Sequence, residues 1–365
     1  MKLFKNTIIY GMLTLTVFCI ISCSEQQEKL ESTQQDKKII GLIIAGSDAC
    51  YDAAASVFEN QAKAKGWTVL RYSSEYKKEL ELLNIEDCIA KKVDAIAMIT
   101  TDIQTGGECA RKCIAANIPI FFFMTMPQFP EGTKATAIVT TDWYMTGYLN
   151  GEYISNKYPN ARCALIEGGY DQGMAELMRQ GFLDGLTVNK SSKAQVVANV
   201  TGSWMKPNAI VAINELLEKK DAFDCIFTGN EEMMLGVIDV LKEKDLLGKY
   251  RLFSENGRED VSGKFIPTGV MEASAEASTT QEGDLVFQLM DAYFAGKDIP
   301  YHTYSPVRLL TKENISSSVP WSTIDYLERK KSGEIVRDYT KMKIVEKPRP
   351  WSNKGNNYEN IYFHK

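Results

Sequence analysis

The chain has 365 residues, 44% of them hydrophobic and 24% charged, with a formal net charge of -5 at pH 7. That acidity argues against nucleic acid as a partner, because phosphate binding needs a basic face and none is present. The only histidines are His302 and His364, too few for a histidine-based general base or zinc site, so no metal or cofactor is expected.

Lys2 and Lys5 lead into an apolar run from Thr7 to Ile21, which Ser22 and Cys23 end. A basic start, a short apolar core and a small residue describe a secretory signal peptide. The run is shorter than the ~20 residues a membrane-spanning helix needs. A cysteine directly after the small residue resembles the lipobox of bacterial lipoproteins. The resemblance implies that residues 1–22 are removed and that Cys23 carries a diacylglycerol. Two or more acyl chains would hold the protein at a bacterial membrane, facing the periplasm or exterior. An ordinary secreted protein with an incidental Cys23 is the alternative. Residues 24–38 are polar and free of aromatics, so 23–38 reads as a flexible tether.

Strands and helices then alternate. Ile39–Ile44 is a buried-type strand and Tyr51–Lys65 a helix that Gly66 ends. Thr68–Tyr72, Ala95–Ile99 and Pro119–Met124 read as strands, and Glu79–Lys91 and Glu108–Ala116 as the helices between them. The pattern continues with strands at Ala137–Thr140, Ala164–Ile166, Gln195–Val200, Cys225–Phe227, Tyr250–Phe253, Val270–Ala273 and Tyr304–Leu310. Helices at Tyr144–Lys157, Glu176–Leu186, Pro207–Glu218, Glu231–Lys244 and Gln281–Ala295 separate them, Pro207 suiting a first turn. Such alternation implies α/β architecture with parallel sheets covered on both faces. About eleven strands are too many for one compact lobe, so two doubly wound sheets are expected.

From Ser316 the alternation stops, although Trp321, Tyr326, Tyr339 and Trp351 make the tail too aromatic for simple disorder. Leu327–Val336 suits a helix. The tail could wrap the second lobe or form a partner surface. Of the cysteines beyond Cys23, none makes a CxxC pair. A disulfide from Cys88 to Cys109 or Cys113 and buried free thiols are both open readings.

Four segments carry a family resemblance: Asn84–Ile96, Ala116-Asn117-Ile118-Pro119-Ile120, Thr228–Gly236 and Pro306–Ile315. Together they resemble the type I periplasmic binding proteins, the ribose- and galactose-binder superfamily shared with the effector domains of LacI-type repressors. The resemblance spans about Ile39 to Ile315. It implies two lobes joined by a three-strand hinge, with crossings near Thr140–Asp142, Ala275–Ala277 and Tyr304–Pro306. On that plan residues 39–141 and 277–304 form the N-terminal lobe, 142–276 and 305–320 the C-terminal lobe, and 321–365 an extension. Ligand binds in the cleft and the lobes close on it.

Carried over residue by residue, the resemblance makes Asn230 the ligand-binding asparagine, whose amide can donate and accept. Asn230 also fits a plain N-cap. Tyr51 and Trp204 fall on cleft aromatics and would clamp a sugar face from opposite lobes, or simply pack at the cleft edge. Other positions depart from the family. Asp52 replaces an aromatic, Met124-Thr125 replaces an acid–arginine pair, and Glu176 replaces a second arginine. The later aspartate falls on Glu255 or Asn256, and Glu276 is the polar candidate at the hinge. If Asp52, Glu176 and Glu255 converge, they favour an amine or a ligand rich in hydroxyl donors.

The expected function is a membrane-tethered solute-binding protein, a monomer that captures a small polar, sugar-like ligand for an ABC permease. The alternative is a sensory subunit for a chemoreceptor or histidine kinase, with an amine-bearing or nucleoside-like ligand. No G-x-G-x-x-G, G-x-S-x-G or P-loop occurs, so an enzyme is not expected. The leader and tether stand where a repressor's DNA-binding domain would be.

Overall fold

The computed structural model describes residues 37–170, 173–219 and 222–335. β1 (Ile39–Ile44) is buried along all but its first residue, which suits a central strand covered on both faces. It lies between β2 (Thr68–Ser73) and β3 (Ala95–Met98), and the sheet continues through β4 (Ile120–Phe123) and β5 (Ala137–Thr141) to β11 (His302–Ser305). Every pairing in this six-stranded sheet is parallel. Helices α1 (Ala49–Ala64), α2 (Lys78–Ala90), α3 (Ile103–Ala115) and α9 (Thr279–Phe294) cover it. One face packs Phe58, Phe121, Phe123 and Leu289, the other Ile85, Cys88, Ile96 and Phe122.

The second sheet is also six-stranded, ordered β12-β10-β9-β8-β6-β7. Its strands are β6 (Arg162–Glu167), β7 (Gln195–Thr201), β8 (Cys225–Thr228), β9 (Arg251–Asn256), β10 (Ala273–Glu276) and β12 (Arg308–Leu310). Here β12 pairs antiparallel with β10 and the other pairings are parallel. Its helices are α4 (Trp143–Lys157), α5 (Met174–Leu186), α6 (Lys206–Glu218), α7 (Glu231–Glu243) and the single turn α8 (Ser262–Phe265). The chain passes between the sheets from β5 to α4, from β10 to α9 and from β11 to β12, which is the three-strand hinge.

Helices α4 and α5 meet at backbone distance. A Cβ on Gly147 would stand 1.9 Å from the Met178 carbonyl oxygen, and one on Gly181 would stand 1.9 Å from that of Tyr144. Gly151 and Gly185 face Phe182 and Tyr148 in the same way, each at 2.3 Å. Two glycines four apart on each helix therefore remove both surfaces at once, and the helices sink into each other. α4 follows the first crossing directly, so this contact seats the second lobe on the hinge.

Several expectations need correction. The strand expected over Tyr304–Leu310 is two strands in different sheets, broken where Pro306 cannot donate to a ladder. The helix expected from Glu108 begins at Ile103, because Asp102 caps it by accepting from Gln104 N and Thr105 N. Cys88, Cys109 and Cys113 are buried free thiols, not a disulfide. The tail helix is α10 (Thr323–Lys331), and it packs against α1 of the first lobe, while Trp321 before it touches the second lobe. Cys23, the leader, the tether, Tyr339 and Trp351 lie outside the described residues. No helix among the described residues is long and apolar enough to cross a membrane.

Candidate ligand-binding cleft

Backbone strain marks where the loops matter. Lys92, Asn117 and Asp245 have positive φ just past α2, α3 and α7, the ordinary left-handed helix end. The remaining non-glycine cases are Glu75, Tyr76, Met124, Ser203, Trp204 and Asn256. They follow β2, β4 and β7 or end β9, all at strand carboxyl ends. Open α/β sheets bind ligands there, and strained residues gather at such sites.

In the first lobe, Asp48 caps α1 by accepting from Tyr51 N at 2.8 Å. Its other oxygen accepts from the Tyr76 hydroxyl at 2.5 Å. Burial raises the Asp48 carboxyl above its usual range, against the pull of these hydrogen bonds. The Tyr76 ring lies over Gly46, where a Cβ would come within 2.1 Å of it. Tyr51 is buried, with its ring 6.4 Å from that of Tyr76. Asp52 turns elsewhere, accepting from Ser47 Oγ at 2.9 Å and pairing with Arg71 on β2. At the departed positions, Thr125 accepts from Thr100 N at 3.0 Å and braces the loop after β3.

In the second lobe, the Trp204 indole covers Gly168 and Gly229 and packs with Trp143, Met178 and Ala277. Asn230 holds that indole's backbone. Its Oδ1 accepts from Met233 N at 2.8 Å as the N-cap of α7, while Nδ2 donates to the Trp204 carbonyl at 3.1 Å. Glu176 is exposed on the first turn of α5. One turn later Arg179 reaches Glu167 at 3.6 Å and the Tyr170 hydroxyl at 3.2 Å. An arginine thus reaches the end of β6 from a different position on α5 than the one the motif compares.

Glu255 is 2% exposed. Its Oε1 accepts from Asn256 Nδ2 at 2.9 Å, and its Oε2 has no hydrogen-bond partner among the described residues. Burial, and then the charges of Glu231 and Glu282, push its carboxyl well above the usual range. Glu231 is well served, accepting from Ser274 Oγ at 2.6 Å, Arg258 N at 2.8 Å, Gly257 N at 3.2 Å and Ser262 Oγ; burial still raises it to about 7. Glu282, from α9 of the first lobe, is raised to about 8 by burial, which nearby Thr141 opposes, and neither of its carboxyl oxygens has a hydrogen-bond partner among the described residues. The Cys50 thiol is raised by burial and then by Asp48, Glu255 and Glu282. Cys50 and Glu282 belong to the first lobe and Glu255 to the second, so their charges act on one another across the lobes.

The structure therefore does not bring Asp52, Glu176 and Glu255 together: the first is paired outward, the second exposed, and the third buried. Glu276 serves the hinge, accepting from Arg308 Nε at 2.7 Å and Val319 N at 2.6 Å. Asp48, Tyr76, Arg179 and Glu282 escaped the sequence reading. Asp48 had a legible signal, an acid three residues before Tyr51 at a helix start. No groups of histidine, cysteine or acidic residues among the described residues could hold a metal ion.

Residues 39–298 match the family described as periplasmic binding protein domain. The chain belongs to that family. This periplasmic binding protein is 22% identical to the ribose import binding protein of Bacillus subtilis over 314 residues, 83% of this chain and 98% of that one. It is 22% identical to the fructose import binding protein of Bifidobacterium longum over 271 residues, 71% of this chain and 80% of that one. Among solved structures, the binding component of the arabinose ABC transporter from Shewanella sp. ANA-3 superimposes with a TM-score of 0.71 at 19% identity, covering 82% of this chain and 99% of that one. An ABC transporter solute-binding protein from Actinobacillus succinogenes with bound D-allose gives 0.70 at 20% identity, covering 77% and 99%. At these identities the structural likeness establishes the fold. The family is one of binding and transport proteins rather than enzymes.

Proposed function

We propose that this periplasmic binding protein captures a small, hydroxyl-rich, sugar-like solute between its lobes and delivers it to an ABC importer. The observation that supports this reading is the placement of Tyr51, beyond the end of β1 in the first lobe, and Trp204, beyond the end of β7 in the second, each past a strand carboxyl end where open α/β sheets bind ligands. Aromatic faces suit the apolar face of a sugar ring, and the strained loops around them suit a preorganised site. The relatives' names supply the solute class: ribose, fructose, arabinose and allose. Cys23 would hold the protein at the membrane by lipid, and a monomer suffices for this work. Delivery of a signal to a chemoreceptor or kinase is the alternative use of the same closure.

A second ligand reading rests on Glu255. Its Oε2 is buried without a partner, and both charges that act on it are negative. An amine-bearing solute would satisfy that oxygen and neutralise the site. Thermal-shift screening of the full chain against sugars, polyols, nucleosides and amino sugars tests both readings, since a bound solute raises the melting point by linkage. A shift with neutral sugars supports the first, and a shift confined to amines supports the second. Silence across the whole panel would overturn solute capture.

A further inference from the structure

The family match ends at residue 298, yet residues beyond it make an ordered connection that the three-strand hinge does not include. After β12 the chain leaves the second lobe and returns to the first. Along the way three successive residues touch three different parts of the molecule. Val319 N donates to Glu276 Oε1, at the end of β10, at 2.6 Å. The Pro320 carbonyl accepts from Thr280 Oγ1, in the first turn of α9, at 2.9 Å. Trp321 N donates to Glu259 Oε1, on a second-lobe loop, at 2.8 Å, and the Arg258 guanidinium lies 5.8 Å from the Trp321 ring.

The segment is then anchored. Tyr326 of α10 is fully buried with Val57, Val319 and Ile335. Its hydroxyl donates to Asp284 Oδ2 of α9 at 2.8 Å. Lys330 pairs with Asp284 Oδ1 and donates to Gln61 Oε1 of α1 at 2.7 Å. Asp284 is itself fully buried and also accepts from Gln61 Nε2 at 3.1 Å and Gln288 Nε2 at 3.0 Å. A buried carboxylate with this many donors fixes the register of α10 on the first lobe, because sliding the helix would strip them from the charge. The anchor end is thus firm. The far end, beyond the Val319–Glu276 bond at the hinge, holds the second lobe by one hydrogen bond to Glu259 and one cation–ring contact with Arg258.

We propose that residues 318–335 form a clasp across the hinge, a fourth tie between the lobes that sets how far they part and therefore how tightly the cleft holds its solute. Hinge closure concentrates its φ/ψ changes at a few residues of the crossing segments. Parting the lobes about those strands carries Glu259 and Arg258 away from Trp321 unless α10 lifts from α1 and α9. A ligand binds more weakly when its competent arrangement is less populated, so releasing the clasp changes affinity without touching the cleft. The link to affinity rests on the solute-capture reading; the link to lobe separation does not.

The test uses the ligand-free full chain with Glu259→Ala, which frees the second lobe, and Tyr326→Phe, which loosens the anchor. Small-angle scattering reads lobe separation, and amide exchange reads residues 277–280 and 307–308. The expected result is a broader scattering profile and exchange about threefold faster or more at both crossings for Glu259→Ala. An unchanged profile and unchanged exchange in this variant overturn the clasp. Glu259 is exposed, so the variant should fold even if Tyr326→Phe does not. Titration with D-ribose, D-fructose and D-allose then reads affinity, with a shift of about threefold to tenfold expected. A changed profile with unchanged affinity for a sugar that binds overturns the link to affinity. Binding of none of the sugars, even by the unaltered chain, counts against the solute reading, while scattering and exchange still decide the clasp.

Discussion

His302 Nε2 on β11 lies 2.8 Å from Thr140 Oγ1 on β5, joining two strands that are 162 positions apart in the chain. Burial pushes the imidazole from an ordinary 6.5 down to about 3. Between those values the unfolded chain takes up a proton that the folded chain refuses. Stability should therefore fall as pH drops below 6.5, by at most about 1.4 kcal/mol per pH unit from this group. Urea unfolding between pH 4 and 7 should show a shallower slope in His302→Gln than in the unaltered chain. Equal slopes would mean that the imidazole ionises freely in the fold.

Glu282 acts in the opposite direction. Its folded carboxyl sits at about 8 against an ordinary 4.5, so the folded state holds a proton that the unfolded chain has released. The contribution is full below pH 4.5 and is lost as pH climbs toward 8, again at up to about 1.4 kcal/mol per unit. Glu282→Gln should flatten the alkaline side of the stability curve and raise the melting temperature at pH 8. A melting temperature that falls at pH 8 would show that the ionised carboxylate is needed.

Gly147→Ala and Gly181→Ala each place a methyl within 1.9 Å of a carbonyl oxygen on the facing helix. Helices α4 and α5 must then separate, costing about 1–3 kcal/mol or more. Denaturant titration should show the loss for both, while Gly132→Ala, which has nothing near its Cβ position but a positive φ, reports the backbone cost alone. If the helix variants lose no more than Gly132→Ala, the packing account is wrong.

Asn230→Asp separates the two jobs of one amide. A carboxylate still caps α7, but it cannot donate to the Trp204 carbonyl. The cap should survive while the Trp204 loop loosens, costing about 1 kcal/mol or less. Asn230→Ala loses both and should cost about 2 kcal/mol. Chemical denaturation orders the two variants; equal losses would place the whole effect in the cap.

The alternation of strands and helices was legible because apolar runs such as Ile39–Ile44 and capped starts such as Asn230 act locally. Side-chain direction was not. Asp52 stands in the right loop, yet Arg71 from a neighbouring strand draws it outward, and nothing near Asp52 in the chain announces that partner. Glu282 looked like an ordinary helix residue until the hinge placed it against Thr141 and near Glu255. Matching by motif also fixed on Glu176, while Arg179, one turn later on α5, is the residue that reaches the end of β6. Tyr326 read as part of an undecided tail because its partner Asp284 lies 42 positions upstream.

The segment after β12 also decides which lobe the described chain begins and finishes in. β1 opens the described chain in the first lobe, where Lys38 lies over the Phe294 ring of α9 at 5.1 Å. Ile335 closes it against Val57 of α1. Among the described residues, entry and exit thus share one body, and the second lobe is a guest carried between them. Tension drawn between Lys38 and Ile335 would load the first lobe and leave the other a passenger.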